Sequence, residues 1–472
     1  MGRRFESCRK RNLKYLKSLY SLLKYDLSKI LNIASSLKNQ IKYLSRNTKH
    51  LGQIFFNLGT FFLATALAIS GLFFLIAILI SFIETKSKLL KDKWNLSLLF
   101  VGGLLLVNSI RFTIQNLDER LISFDKSETI YSLFNWIPLF ILFISCQYYL
   151  KNQSQRESFA RYLISGTIPV LISCLLQSWF KIYGPFRTLG GLIVIFNKEI
   201  GNDGIEVSGV FSNQNYTGIW LTLSVPILFF LINKNKSFKI QKLLLIIILL
   251  TSIYIIFLTL SRNAYIGLLS SILLIFGIKS LFIFLFSGLF IYFIFIFLEI
   301  FIPINTIQII EGHQFNNLIS KFRIDNISNF LEFTRFNIWT NTIDLIKNKP
   351  IFGYGASTFT IIFYELSNLK IQHSHNMPLQ LAYEFGIPIA LLLVFYISLL
   401  FYKSWGNIFK FQGNEITFLF NKCWLASCMV AILNHLNDIT YYDGKISILI
   451  WIFFSGLKCI LEDKYQSNAI KS

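Results

Sequence analysis

Mostly apolar blocks of roughly 15–23 residues recur along this chain, each long enough as a helix to cross the hydrocarbon core of a bilayer. That feature fixes the solvent: most of the side-chain surface must face lipid or another helix. The composition agrees. Of 472 residues, 54% are hydrophobic and only 15% charged, with a mean hydropathy of +0.56, whereas soluble domains carry about 25% charged residues. The blocks predict an all-α polytopic membrane protein of about 12 transmembrane helices. They fall at Leu96–Ser109, Ile130–Leu150, Phe159–Trp179, Asn215–Ile232, Lys242–Leu260, Ala264–Ile278, Leu281–Ile302, Met377–Tyr402, Phe418–His435 and Ile446–Leu461. The unbroken stretch Ile54–Ile83 is too long for one upright helix and is read as two short ones, with Gly71 as the break.

The formal net charge of +21 and pI of 9.6 would suit a nucleic-acid binder. The distribution points instead to anionic phospholipid head groups, because the positive charges gather on one side of the membrane. With the N-terminus inside, about 29 Lys and Arg residues lie in cytoplasmic segments and about 14 outside. The short loops Glu84–Asn95, Lys151–Ser158 and Asn233–Gln241 all fall inside, and an even number of spans returns the C-terminus to the cytoplasm. The loop from Pro303 to about Ser374 then faces outward, as do Gly184–Asn213 and Ser261–Asn263.

The organisation follows. Residues 1–50 are a basic amphipathic cytoplasmic segment, with Leu13, Leu16, Tyr20, Leu23 and Leu27 opening a helical apolar stripe that continues to Leu44. Residues 51–302 hold helices 1–9, 303–375 an outer cap loop, 376–461 helices 10–12, and 462–472 a cytoplasmic tail. A loop of the cap's length is seldom idle. It carries Phe315, Leu318, Ile319, Phe322, Phe330, Leu331 and Phe333 together with the helical stretch Phe333–Lys347, so a folded cap is expected. The six cysteines form no CxxC pair and lie mostly in apolar segments, which reads as small buried residues.

Three features on the outer face could carry chemistry. Ser261-Arg262-Asn263 sits between two strongly apolar helices, where Arg262 either snorkels to the interface or holds an anionic group at head-group level. Arg335 opens a helical stretch that leads to Lys349-Pro350-Ile351-Phe352-Gly353-Tyr354-Gly355, a tight turn. The amides of that turn, around Gly353 and Gly355, could approach a ligand or could simply close a loop. His373-Ser374-His375-Asn376 lies at the start of a transmembrane helix. It is either a surface loop or the seat of a general base, since nearby arginines and a helix N-terminus favour neutral imidazole. No metal or other cofactor is expected, because no carboxylate or cysteine accompanies the histidines at metal spacing and no Asp-rich motif is evident. Two arginines and a histidine on one face suit an anionic donor. Guanidinium forks match phosphate oxygens, and a histidine can deprotonate an acceptor hydroxyl.

Three segments resemble the O-antigen ligase and polymerase family of bacterial membrane glycosyltransferases, including its cyanobacterial branch. They are Gly209-Val210-Phe211-Ser212-Asn213-Gln214-Asn215, Leu258-Thr259-Leu260-Ser261-Arg262-Asn263-Ala264, and the stretch running from Arg335 through Trp339, Gly353-Tyr354-Gly355 and His375-Asn376 to Glu384-Phe385-Gly386. The resemblance covers the latter half of the chain. It implies a GT-C-like fold in the bacterial inner membrane, a periplasmic active site, and no metal. It also implies transfer of a glycan from an undecaprenyl-pyrophosphate carrier to a lipid A-core sugar or another glycan acceptor. By motif, Arg262 and Arg335 would bind the pyrophosphate and His375 would be the base, with His373 its weaker rival. Asn376, Asn215, Gly353 and Gly355 would line the substrate site. Ligases and chain polymerases share these motifs, so the resemblance leaves that choice open. A reading from another class, a bicarbonate or small-anion transporter, would want ionisable residues at mid-membrane and broken helices at a central site. The spans show few internal charges, Arg161 and Lys422 near their ends.

Overall fold

A computed structural model of the chain describes residues 48–280, 282, 286 and 335–469, apart from the short segments 86–88, 116–118, 123, 202–204, 235–238 and 411–413. Two compact units are distinguished, Met1–Ile54 and Phe55–Ser472. In the first, only residues 48–54 are described, and they are helical. The amphipathic segment expected before them, the span Leu281–Ile302 for all but two residues, and the cap residues from Phe315 to Phe333 lie outside the described residues.

The described residues of the second unit are mostly helical, with one small hairpin. Its elements are α1 (residues 55–62), α2 (Leu67–Thr85), α3 (Lys93–Ile114), α4 (Ser127–Tyr131), α5 (Ile137–Leu150), α6 (Gln153–Phe180), the strands β1 (Phe186–Thr188) and β2 (Ile193–Ile195), α7 (Gln214–Lys234), α8 (Lys239–Leu258), α9 (Arg262–Phe276), α10 (Arg335–Asn348), α11 (Phe359–Ser367), α12 (Met377–Phe385), α13 (Ile387–Phe409), α14 (Glu415–Asn437) and α15 (Gly444–Ala469). Among the described residues nine helical segments are long and apolar enough to cross a membrane, and α9 is a shorter apolar helix. The chain is an all-α, multi-pass membrane protein.

Between helices in lipid there is little hydrophobic driving force, so close packing through small residues does the work. A Cβ on Gly218 of α7 would stand 2.7 Å from Ala264 Cβ of α9, and one on Gly456 of α15 would stand 2.1 Å from the Trp424 ring of α14. Around these contacts α7, α9, α14 and α15 form the centre. Trp220 and Trp424 are fully buried there and donate to Thr167 Oγ1 (3.1 Å) and Phe453 O (2.8 Å). At the periphery α2 and α8 expose Leu72, Leu75, Leu79, Leu243, Leu244 and Leu250, as lipid-facing helices should.

Several boundaries differ from expectation for physical reasons. Ile54–Ile83 does hold two helices, but the break lies at residues 63–66, and Gly71 sits inside α2 facing open space. The fold-back is fixed where Ser70 Oγ donates to Gly59 O at 2.7 Å and Phe74 packs on Gly59. The expected span Met377–Tyr402 is two helices, parted at Gly386 with φ +88°. There Ile387 N donates to Pro350 O (2.8 Å), and a side chain on Gly386 would collide with Ile351 O at 2.0 Å. The charged stretch Lys151–Ser158 is mostly helix, because Asn152 and Gln155 form a reciprocal capping box that starts α6. The last helix runs past Leu461 to Ala469, and the segment Gly184–Asn213 contains the antiparallel pair β1–β2.

The interior also holds more charge than the sequence suggested. At the end of the bundle away from α12, Lys458 is buried and bonds Glu462 (2.8 Å), Asp92 (3.3 Å) and Gln147 (2.9 Å). Buried Arg156 meets Asp463 at 2.5 Å, and Glu157 pairs with Lys234. Each buried charge is compensated, as a low dielectric demands. The five cysteines among the described residues are free and buried.

Candidate active site

At the other end of the bundle four chain segments converge. The first is the turn between α8 and α9. Leu260 takes φ +50°, Ser261 caps α9 by accepting from Ala264 N (3.4 Å), and Arg262 opens the helix. Gly218 of α7 leaves room for this turn, since a Cβ there would press on Ala264, Ser261 and Thr259. The second is the start of α10, where Arg335 Nη1 donates to Asn263 Oδ1 at 3.4 Å. Burial, followed by the charge of Arg262, draws the Arg335 guanidinium below its usual value, while Asp438 opposes them. It remains cationic, as guanidinium does in proteins. A half-buried Arg335 and an exposed Arg262 whose charges repel one another are poised for an anion.

The third segment is the turn into α12. His375 has φ +52° and donates its amide to His373 Nδ1 (3.3 Å), with the two rings 4.3 Å apart. Burial, then the charges of His375 and Arg335, push His373 down to about 4 against the pull of Asp438, so it is neutral at physiological pH. The fourth is the C-terminus of α14. Asp438 caps it and faces His375, with Nδ1 to Oδ1 at 3.1 Å. The same carboxylate accepts from Ile439 N (2.9 Å) and from Asn215 Nδ2 of α7 (3.4 Å). Burial alone would raise Asp438, but the hydrogen bond and charge of His375, the Ile439 amide and the charge of Arg335 outweigh it, and the group lies below the usual carboxylate range. An ionised Asp438 accepts the Nδ1 proton, which leaves a lone pair on His375 Nε2 to take a proton from elsewhere.

The expected residues are therefore brought together in part. Arg335, His373, His375 and Asn215 gather around Asp438, and Arg262 joins them through its charge on Arg335. Asn376 stands beside it in a structural role: its Oδ1 caps α12 through Leu379 N (3.0 Å) and its Nδ2 donates to Leu436 O (2.9 Å). Gly353 and Gly355 do not offer their amides to a ligand. Gly353 N donates to Lys349 O (3.1 Å), Tyr354 N to Tyr383 O (2.7 Å) and Gly355 N to Glu384 O (3.0 Å), so this turn docks α10 against α12.

Asp438 is the residue sequence reasoning missed. It lies far along the chain, in the loop after α14, and the absence of a carboxylate near the histidines held only for linear distance. His373, His375 and Asp438 each place a ligating atom within 4.8 Å of the others, a set that could hold a divalent ion. The two neighbouring guanidinium groups oppose a cation there and favour the hydrogen-bonded dyad.

Residues 244–394 match the model of a protein family described as O-antigen ligase. That range includes Arg262, Arg335, His373 and His375, and leaves Asn215 and Asp438 outside it. No curated protein matches the chain.

Proposed function

We propose that the chain acts as a member of the O-antigen ligase family, whose model matches residues 244–394, and transfers a glycan from an undecaprenyl-pyrophosphate carrier to an acceptor hydroxyl at the periplasmic face of the inner membrane. The observation that carries this reading is the His375–Asp438 pair, 3.1 Å apart, beside two arginines. His375 Nε2 takes the proton of the acceptor hydroxyl, and the freed oxygen attacks the anomeric carbon of the donor. The bond from that carbon to the pyrophosphate breaks, and its electron pair goes to the pyrophosphate oxygen. Arg262 and Arg335 receive the charge that develops there, as positioned cationic donors stabilise a developing anion. Asp438 stabilises the imidazolium until the proton is released. The residues themselves supply the acid–base and electrostatic parts, and the step needs no redox change.

In this reading the acceptor is a sugar of lipid A-core. A chain polymerase would run the same step with a growing glycan as acceptor. Lipopolysaccharide and surface-glycan profiling separates the two, in a deletion strain complemented with wild type, His375→Ala or Arg335→Ala. A ligase restores polymer on lipid A-core, and both variants leave polymer on its lipid carrier. Accumulation of single repeat units identifies a polymerase. Unchanged glycans in every strain would remove the transferase reading and leave anion transport to be tested.

A further inference from the structure

Behind the histidines lies a carboxyl that the transfer step does not use. Glu384, in the last turn of α12, is 3% exposed. Its Oε1 accepts from Gln380 Nε2 at 2.9 Å and from Tyr442 OH at 3.4 Å, and its Oε2 from Tyr441 OH at 3.4 Å. Burial raises Glu384 to about 7, while Gln380, Tyr442, the Ser357 amide and Tyr441 pull it down. The groups facing it are Tyr441 and Tyr442 from the segment after α14, Ser357 from the turn before α11, and Gln380 and Tyr383 on its own helix. Tyr441 and Tyr442 are themselves raised far above their usual range, by burial first and then by Glu384, so they do not ionise alongside it.

In its ionised form, above about pH 7, Glu384 can only accept hydrogen bonds, and this dictates how its neighbours point. Gln380 must turn its NH2 toward the carboxylate, which leaves Gln380 Oε1 to receive the amide of Ser374 at 2.9 Å. Ser374 stands between the two histidines, and its Oγ donates to Asn376 O at 3.0 Å, closing the turn that holds His375 in its left-handed conformation. Tyr442 must likewise donate to the carboxylate. That donation fixes its ring, which stacks on His373 with centroids 5.8 Å apart. Both arms from Glu384 end on the histidine pair, one through the backbone and one through a ring.

We propose that Glu384 is a positioning residue for the transfer reaction: acting through Gln380 and Tyr442, it holds the His373–His375 turn so that His375 faces Asp438 and the acceptor. The proposal rests on His375 being the base. A glutamine at this position would fill the same volume, yet it can donate as well as accept, so Gln380 could invert and release Ser374.

The test uses the purified full chain in lipid nanodiscs, with lipid-linked glycan and acceptor isolated from the deletion strain. Wild type, Glu384→Gln, Glu384→Asp, Tyr442→Phe and His375→Ala are compared at equal folded protein, checked by thermal unfolding. Glu384→Gln should lower kcat by about ten- to a hundredfold with both KM values unchanged, since small misplacements of a catalytic group cost that much. Glu384→Asp should recover part of the loss, and Tyr442→Phe, which cuts one arm, should show a smaller fall. Infrared spectra should show a protonated-carboxyl band in wild type that titrates near pH 7 and is missing in Glu384→Gln. The proposal is overturned if folded Glu384→Gln keeps kcat within twofold, or if the loss appears in KM alone. An inactive His375→Ala beside a fully active Glu384→Gln would remove only this role. A fully active His375→Ala would remove the base assignment and this role together.

Discussion

Replacing Asp438 by asparagine isolates the charge of the dyad from its shape. Asp438 Oδ1 holds His375 Nδ1 at 3.1 Å and Ile439 N at 2.9 Å, and Oδ2 faces Asn215. An asparagine can keep its oxygen at the first position and turn its NH2 toward Asn215, whose amide can invert to accept it. The histidine therefore keeps its tautomer and loses only the anion that stabilises imidazolium. Two unit charges about 4 Å apart attract by about 4 kcal/mol at an effective dielectric of about 20. The side chain of Asp438 is 8% exposed and that of His375 31%, so solvent screens part of this. A loss of about 2–4 kcal/mol in the transition state corresponds to a fall in kcat of about thirty- to a thousandfold. Steady-state transfer by the purified Asp438→Asn protein should show that fall with the donor KM nearly unchanged. Activity within threefold of wild type would refute the reasoning, as would a change confined to KM.

Three further outcomes follow from the same geometry. Arg335→Lys should weaken the donor at least tenfold, read as donor KM, because an ammonium cannot offer the guanidinium fork to a pyrophosphate; equal KM values would count against Arg335 as a donor ligand. Gly386→Ala should destabilise the folded protein by at least about 2 kcal/mol, since a side chain there meets both left-handed strain and the Ile351 carbonyl, and thermal unfolding in detergent measures this. Stability against pH should reveal two opposed groups. Glu384, raised to about 7, contributes stability that is complete below about pH 4.5 and lost as pH rises through 7, whereas His373, lowered to about 4, contributes stability present above about pH 6.5 and lost as pH falls through 4. Glu384→Gln leaves only the second effect, so its melting temperature should fall more steeply on acidification than that of wild type; parallel curves would contradict the assignment.

The membrane class was legible because apolar blocks report the solvent directly, and most span boundaries fall within a few residues of those blocks. Arg262, Arg335 and the two histidines stood out as candidates because polar residues at the ends of apolar spans are few, and Asn215 through its motif; that they lie close together shows only in the packing. Asp438 was not, because its meaning comes from the packing of α14 against α12 and α7, which brings a carboxylate from a distant loop to His375. The helix break at Gly386 was visible as a Gly-Ile-Pro sequence but was hidden by the hydrophobicity on both sides of it. The Gly353–Gly355 turn misled for the opposite reason: glycines that look built for a ligand are there so that the backbone can reach Tyr383 and Glu384. Lys458 was passed over inside an apolar run and Glu384 was noted only as the end of a motif, since several of the partners that make them tolerable lie on other elements.

The most direct test of the proposed transferase site is transfer by the purified chain in nanodiscs, with lipid-linked glycan as donor and wild type compared with His375→Ala. Wild type should move the glycan to the acceptor and release undecaprenyl pyrophosphate, while folded His375→Ala still binds the donor and turns over at least a hundredfold more slowly. Equal transfer by both proteins, or none by the folded wild type when donor and acceptor are both present, would contradict the role assigned to this site.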